Sequence, residues 1–452
     1  MKKHWEIITR DYPWHFIGFL ILGGIIPKIY ILLNLFWIGR ISGDAIAITE
    51  QYEFLGTAME VLQGMIPIGV LALVAQHYHN RKNVIEIVKA GLILQIALSL
   101  VISVIVIVFT QAVTGMIGTP LSIADQTREY LLLRAIALPL EAIGYILLIA
   151  IKSLQKGKEQ LILVTISIIA NVVLDLFLIS STSVSLHLGV QGVAIAYLLS
   201  KLLLMVASLA YLIHILRIDI TSIITTAWCH QVIPLIRISG WSGLETAIRM
   251  LGYLGVLFLL NGLGTDMYGG FGLGMWMLFI LLMPVFALGQ GTSVLVGNYF
   301  SEKRYEDLLN IVKTSLVLVI AFALVIALAG IVWWHDLSLF LNPNPGIVAY
   351  SDVTFTLLII AFIGYCIGIV LRSIFYGTGK TQYIFYITGF TTLGIILPLF
   401  ALFYTGILIP TFTTVVMVYL IVYIIDPVLA FLWARKVVSE FPVVDHDAAS
   451  SA

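Results

Sequence analysis

Apolar runs of membrane length, parted by short polar turns, recur along the whole chain. A bilayer core about 30 Å thick takes about 20 apolar residues of helix. Such runs are read at 14–38, 52–77, 87–113, 127–152, 160–181, 188–216, 234–263, 268–300, 309–334, 352–377, 382–404 and 409–434. The pattern predicts an all-α polytopic membrane protein with twelve transmembrane helices. Several runs are longer than a perpendicular span needs, which predicts tilt or helical extensions. The first run is too long for the apolar part of a signal peptide, and no small-residue cleavage site follows it. It is read as a retained span. Pro27, Pro67, Pro139, Pro284 and Pro398 fall inside runs and are candidate kinks. A loop is expected at about 335–351, around the turn formers Asn342-Pro-Asn-Pro-Gly346.

The pattern repeats. Gln155-Lys-Gly-Lys-Glu-Gln160 follows the fourth run, and Gly377-Thr-Gly-Lys-Thr-Gln382 follows the tenth. Ala75-Gln-His-Tyr-His-Asn-Arg-Lys82 follows the second, and Val296-Gly-Asn-Tyr-Phe-Ser-Glu-Lys303 the eighth. Six spans and six more in the same orientation make a parallel internal repeat of two six-helix lobes. The expected division is an amino-terminal lobe at 1–216, a linker at 217–233, a carboxy-terminal lobe at 234–436 and a tail at 437–452. Lysine and arginine crowd the ends that carry both termini, and the opposite ends hold Arg40 and Arg128. That asymmetry predicts cytoplasmic termini in a multi-pass cell-membrane protein.

Composition agrees. The chain of 452 residues is 60% hydrophobic and 11% charged, against about 25% charged in a soluble domain. Cys229 and Cys366 give neither a disulfide framework nor metal spacing. No nucleotide-binding loop or catalytic constellation is present, because Gly-Thr-Gly-Lys-Thr lacks the phosphate-loop spacing. A non-enzyme without cofactor or nucleic-acid partner is expected, acting as a monomer on a small molecule in the bilayer.

Charge inside the runs is the strongest functional signal, because a charge at mid-membrane costs at least about 2.5 kcal/mol and therefore faces a cavity or a partner. The bases are Lys28, Arg134, Lys201 and Arg249; the acids are Glu60, Glu141, Asp175, Glu245 and Asp426. Asn171 and Asp175 stand four apart on one helix face. Asp175 is read as a proton or cation site, with a salt bridge to Lys201 as the structural alternative. Lys28 with Glu60 reads as a structural pair. Arg134 and Glu141 share a face and suit either a cavity or helix–helix glue. Glu245 and Arg249 suit mutual neutralisation or substrate contact. Tyr30, Trp37 and Tyr197 are candidates for stacking on an organic cation, with helix packing as the alternative.

Asn171-x-x-x-Asp175-x-x-x-Ile179, followed by Gly189-Val-Gln-Gly-Val-Ala-Ile-Ala, resembles the fifth and sixth spans of multidrug and toxic compound extrusion (MATE) transporters. Asn34-Leu-Phe-Trp-Ile-Gly39 is similar to their first span, and Met283-Pro284 through Gly297 to their eighth. The resemblance implies a two-lobed exporter working by alternating access, with an ion-coupling site at Asp175, Asn171, Asn34 and Tyr197. Asn34 stands where that family has an aspartate, and Tyr197 where it often has a threonine. Arg249 stands where some members have a glutamate, with Glu245 one turn earlier. Sodium prefers several hard oxygen ligands, so with two partners changed the expected coupling ion is a proton, with sodium as the alternative. The expected cargo is a small cationic or amphipathic compound. The buried bases also suit a flippase of lipid-linked oligosaccharide or phospholipid, whose phosphates need cations.

Overall fold

The computed structural model describes residues 13–38, 41–42, 45–117, 119, 121–180, 183–217 and 228–441. The helices are α1 Trp14–Ile38, α2 Ala45–Gln76, α3 Arg81–Val108, α4 Thr110–Ile117, α5 Ala124–Ser153, α6 Gly157–Leu178, α7 Gly189–Ile215 and α8 Cys229–Leu263. They continue as α9 Thr265–Leu281, α10 Met283–Ser301, α11 Tyr305–Leu341, α12 Pro345–Thr378, α13 Gln382–Thr391, α14 Leu397–Tyr404 and α15 Phe412–Ser439. A π-helical turn, Thr392–Ile396, joins α13 to α14 into one span. Among the described residues, nine helices are long and apolar enough to cross a membrane, and the bent pair α9–α10 makes a tenth. With α1 and α2 these are the twelve spans of the sequence pattern.

Two places differ from that pattern. The eighth run is broken at Leu282, where α9 and α10 meet at 45°. Pro284 sits in the first turn of α10, where its missing N–H costs nothing. The loop expected at about 335–351 is only Asn342, Pro343 and Asn344. Helix α11 runs on to Leu341, and α12 starts at Pro345 under an Asn344 side chain that accepts the Gly346 N–H at 2.9 Å. Three of the turn formers make the turn, Pro345 and Gly346 open α12, and the polar residues on either side are helical.

The chain forms two compact units, Tyr12–Ala247 and Ile248–Ala452. Helix α8 runs across that division. Each unit is built around the fourth span of its half. In the first, α5 packs against α2, α3 and α7, while α6 lies against α1 and α7. In the second, α12 packs against α9, α10, α11 and α15. Lipid tails are as apolar as side chains, so close packing rather than hydrophobicity holds such helices together. The Gly270-x-x-x-Gly274 stripe of α9 shows this: a methyl at either position would run into Tyr350 or Thr354 of α12.

Proline in α5 bears directly on the site. Pro139 lies mid-helix and leaves the Ala135 carbonyl without its usual donor. The Ser103 hydroxyl of α3 donates to that carbonyl at 2.7 Å. The neighbouring helix thus satisfies a backbone group that hydrocarbon would leave bare. This repair lies between Arg134 and Glu141, the charged residues of the same helix.

Candidate functional site

Helix α6 carries a polar stripe of Ser167, Asn171 and Asp175 at successive four-residue steps, all buried. Two glycines set α7 beside it. Gly189 begins α7 with φ of +60°, a left-handed conformation that costs a Cβ-bearing residue. A methyl at Gly192 would strike Ile179 and the Leu178 carbonyl at the end of α6. The contact zips α6 to α7. The Ser167 hydroxyl donates to the Ser200 carbonyl at 3.1 Å, and the Asn171 amide donates to the Ser200 hydroxyl at 3.1 Å.

Asp175 has no such partner. The residue is fully buried, and neither carboxylate oxygen has a hydrogen bond of good geometry. The Tyr30 phenol of α1 approaches it without completing one. The Asn171 Oδ1 is likewise buried and bare, as is the Oδ1 of Asn34, one turn beyond Tyr30 on the same face of α1. An unpaired charge in such surroundings costs several kcal/mol.

A second cluster lies on α2, α5 and α7. The Arg134 guanidinium lies 3.6 Å from the ring centre of Tyr197 and 4.0 Å from that of Tyr52. Tyr52 meets Tyr130 edge to face with ring centres 6.3 Å apart. Glu141 accepts a hydrogen bond from the Tyr197 hydroxyl and pairs with Lys201 Nζ at 3.2 Å. Lys201 also stands 4.8 Å from the Tyr197 ring centre. Cation–π contacts are worth about 2 kcal/mol when desolvated, which recovers part of the cost of burying Arg134. Tyr30 is an electrostatic neighbour of both Asp175 and Arg134, so the two clusters adjoin.

The structure thus gathers Asp175, Asn171, Tyr30, Arg134, Glu141, Tyr197 and Lys201 in one unit. Lys201 is tied to Glu141 rather than to Asp175. Trp37 is half-buried and packs against the apolar cluster of Ile38, Ile48 and Val190. The side chains of Lys28 and Glu60 lie outside the described ones. Glu245 is buried on the α8 segment of the first unit and accepts the Thr246 hydroxyl at 3.2 Å. Arg249, exposed, neighbours Tyr419 and Tyr423 in the second unit. Sequence reasoning missed Tyr52, Tyr130, Ser167 and Ser200. Tyr130 was findable one turn before Arg134, and Ser167 one turn before Asn171. Among the described residues no group of three His, Cys, Asp or Glu could hold a metal ion.

Comparison with known proteins gives a consistent picture. The MatE family model matches residues 20–177 and 242–402. Multidrug export protein MepA of Staphylococcus haemolyticus (strain JCSC1435) is 22% identical over 389 residues, covering 81% of this chain and 82% of that protein. A mutant of the Vibrio cholerae MATE transporter VcmN superposes with a TM-score of 0.87 at 16% identity, over 97% of this chain and 98% of that one. A multidrug resistance MATE family transporter of the MOP superfamily, outward-facing, gives 0.84 at 16% identity over 97% and 98%. At these identities the structural likeness establishes the fold.

Proposed function

This chain belongs to the MatE family of multi-pass membrane transporters, and we propose that it is a secondary active exporter driven by inward proton movement. The cargo is a small amphipathic organic compound, and both termini face the cytoplasm, a reading supported by the lysine and arginine asymmetry.

The observation that carries this reading is Asp175, a wholly buried side chain whose two oxygens have no partner beyond the approach of the Tyr30 phenol. A bare carboxylate there costs several kcal/mol, and a carboxylic acid much less. Gaining and losing a proton is therefore the exchange the position is fitted for. Each protonation state favours a different arrangement of α1 against α6, and a ligand shifts such an equilibrium only by its differential affinity for the two states. Asn171, through Ser200, links α6 to α7 and so to the Arg134 cluster.

One observation favours sodium as the coupling ion. Asn34 and Asn171 each hold a buried, unpartnered Oδ1, and bare oxygens are what a hard cation seeks. Fluorescent-dye efflux from proteoliposomes, under a proton gradient and separately a sodium gradient, decides. Proton-driven efflux, reduced about a hundredfold by Asp175→Asn (close to 3 kcal/mol), is the expected result. Efflux that follows sodium alone replaces the proton in this reading. Efflux that ignores both gradients, or that survives Asp175→Asn with its pH dependence intact, overturns it.

A further inference from the structure

Arg134 is 8% exposed, and its Nε is sealed from solvent with no hydrogen-bond partner. No carboxylate among the described residues forms an ion pair with it. Glu141, seven residues on, is already engaged by Lys201 at 3.2 Å and by the Tyr197 hydroxyl. What Arg134 touches are the rings of Tyr52 and Tyr197. Rings ease the burial of a cation, but they do not satisfy the five N–H donors of a guanidinium. Those donors form a rigid fork that matches the two oxygens of a carboxylate or phosphate. The rings fix the fork in place, and Tyr30 and Tyr130 add phenols to its surroundings. Among the described side chains, Arg134 and Lys201 outweigh Glu141 by one positive charge when the adjoining Asp175 holds a proton. The face of Tyr197 is already taken by two cations, which leaves it no room for a cationic compound.

We propose that Arg134 anchors an anion subsite, which takes the carboxylate, phosphate or sulfonate of an amphipathic compound whose apolar body lies along Tyr52 and Tyr130. As a statement about cargo it rests on the exporter reading; as a binding site it does not. The cargo class is then anionic or zwitterionic amphipaths rather than simple organic cations. Arg134 serves as the recognition element, and Tyr52 and Tyr197 as positioning residues that hold its guanidinium.

The test is isothermal titration of the full-length protein in phosphatidylcholine nanodiscs with two probes of one shape, naphthoate and naphthylmethylammonium. Naphthoate is expected to bind wild type at least about tenfold more tightly than the cation. Arg134→Gln should remove that preference. Arg134→Lys, which keeps the charge and loses the fork, should fall between them. Naphthoate should raise the melting temperature of wild type and leave that of Arg134→Gln unmoved. If Arg134→Gln does not fold, Arg134→Lys carries the comparison. Equal affinity of wild type for the two probes overturns the proposal, as does naphthoate binding that both variants leave unchanged. A repeat in discs containing phosphatidylglycerol separates the sources of the anion: competition identifies a lipid phosphate, and its absence a soluble amphipath. Loss of proton-driven efflux with the naphthoate preference intact would sink the exporter reading alone. Efflux without any probe preference would sink this subsite alone.

Discussion

In the carboxy-terminal unit, interior charge meets opposite charge. Arg372 of α12 meets Asp426 of α15 in a buried ion pair with Tyr423 beside Asp426, and aromatic side chains stack along α12. Tyr365 lies on Tyr423 with ring centres 4.6 Å apart, and Trp334 on Phe355 at 4.4 Å. The Trp334 indole N–H reaches the Ser351 hydroxyl at 3.2 Å. In the amino-terminal unit, Asp175 is buried bare, and Arg134 has rings where an anion would be expected. Both units hold ionised groups in hydrocarbon surroundings, where solvation cannot help. One spends them on joining helices. The other leaves them short of partners, which is the condition a transported ion or ligand can relieve. Buried charge alone therefore does not separate the two units; whether it meets opposite charge does.

The contrast breaks or sharpens under three substitutions. The largest effect falls on the carboxy-terminal pair. Arg372→Leu strands Asp426 and should lower unfolding free energy in denaturant by about 3 kcal/mol, while Arg372→Met with Asp426→Leu restores most of it. Export should survive the double change. A double variant that is stable but transport-dead would place a working charge in this unit and erase the contrast. A smaller effect is expected of Tyr197→Phe, which keeps the ring against Arg134 but removes a donor from Glu141. A loss of about 1 kcal/mol is expected, with naphthoate affinity within about twofold of wild type; a larger affinity loss would make the hydroxyl part of the subsite. The smallest lies outside the spans, where Lys380 hydrogen-bonds Glu440 and its charge holds that carboxyl below its usual range. A folded-state value so depressed stabilises above the unfolded carboxylate range and is lost as pH falls through it. Lys380→Gln should therefore melt slightly below wild type at neutral pH and together with it in acid, whereas a gap that persists in acid would assign the effect to packing.

The periodic apolar pattern was sufficient for the helices, because membrane helices satisfy their backbone internally and need little from their neighbours to form. It failed where local chemistry overrides length. Asn342 to Asn344 caps two helices in three residues, so the flanking polar residues are helical despite looking like loop. The break at Leu282 hides inside an apolar run, where only Pro284 hints at it. Asp175 and Asn171 were legible, since both stand out against hydrocarbon. The pairing was not. The sequence reading sets Lys201 opposite Asp175, whereas the packing of α5 on α7 gives it to Glu141. Tyr52 comes from a third helix, α2, and only the tertiary fold brings it over Arg134.

The turn between α11 and α12 has a practical side. Helix α11 has 37 residues, about 55 Å at 1.5 Å per residue. Even at a 40° tilt it measures roughly 42 Å along the membrane normal, about 12 Å more than the hydrocarbon layer. Some of this helix therefore stands in water at any ordinary inclination. It is joined to α12 by three residues with a capped start. Such a hairpin is a stiff post. A rigid helical fusion or an antibody epitope grafted at Asn342–Asn344 would be held in a fixed orientation, giving a small membrane protein the orientation marker that electron-microscopic imaging of it requires.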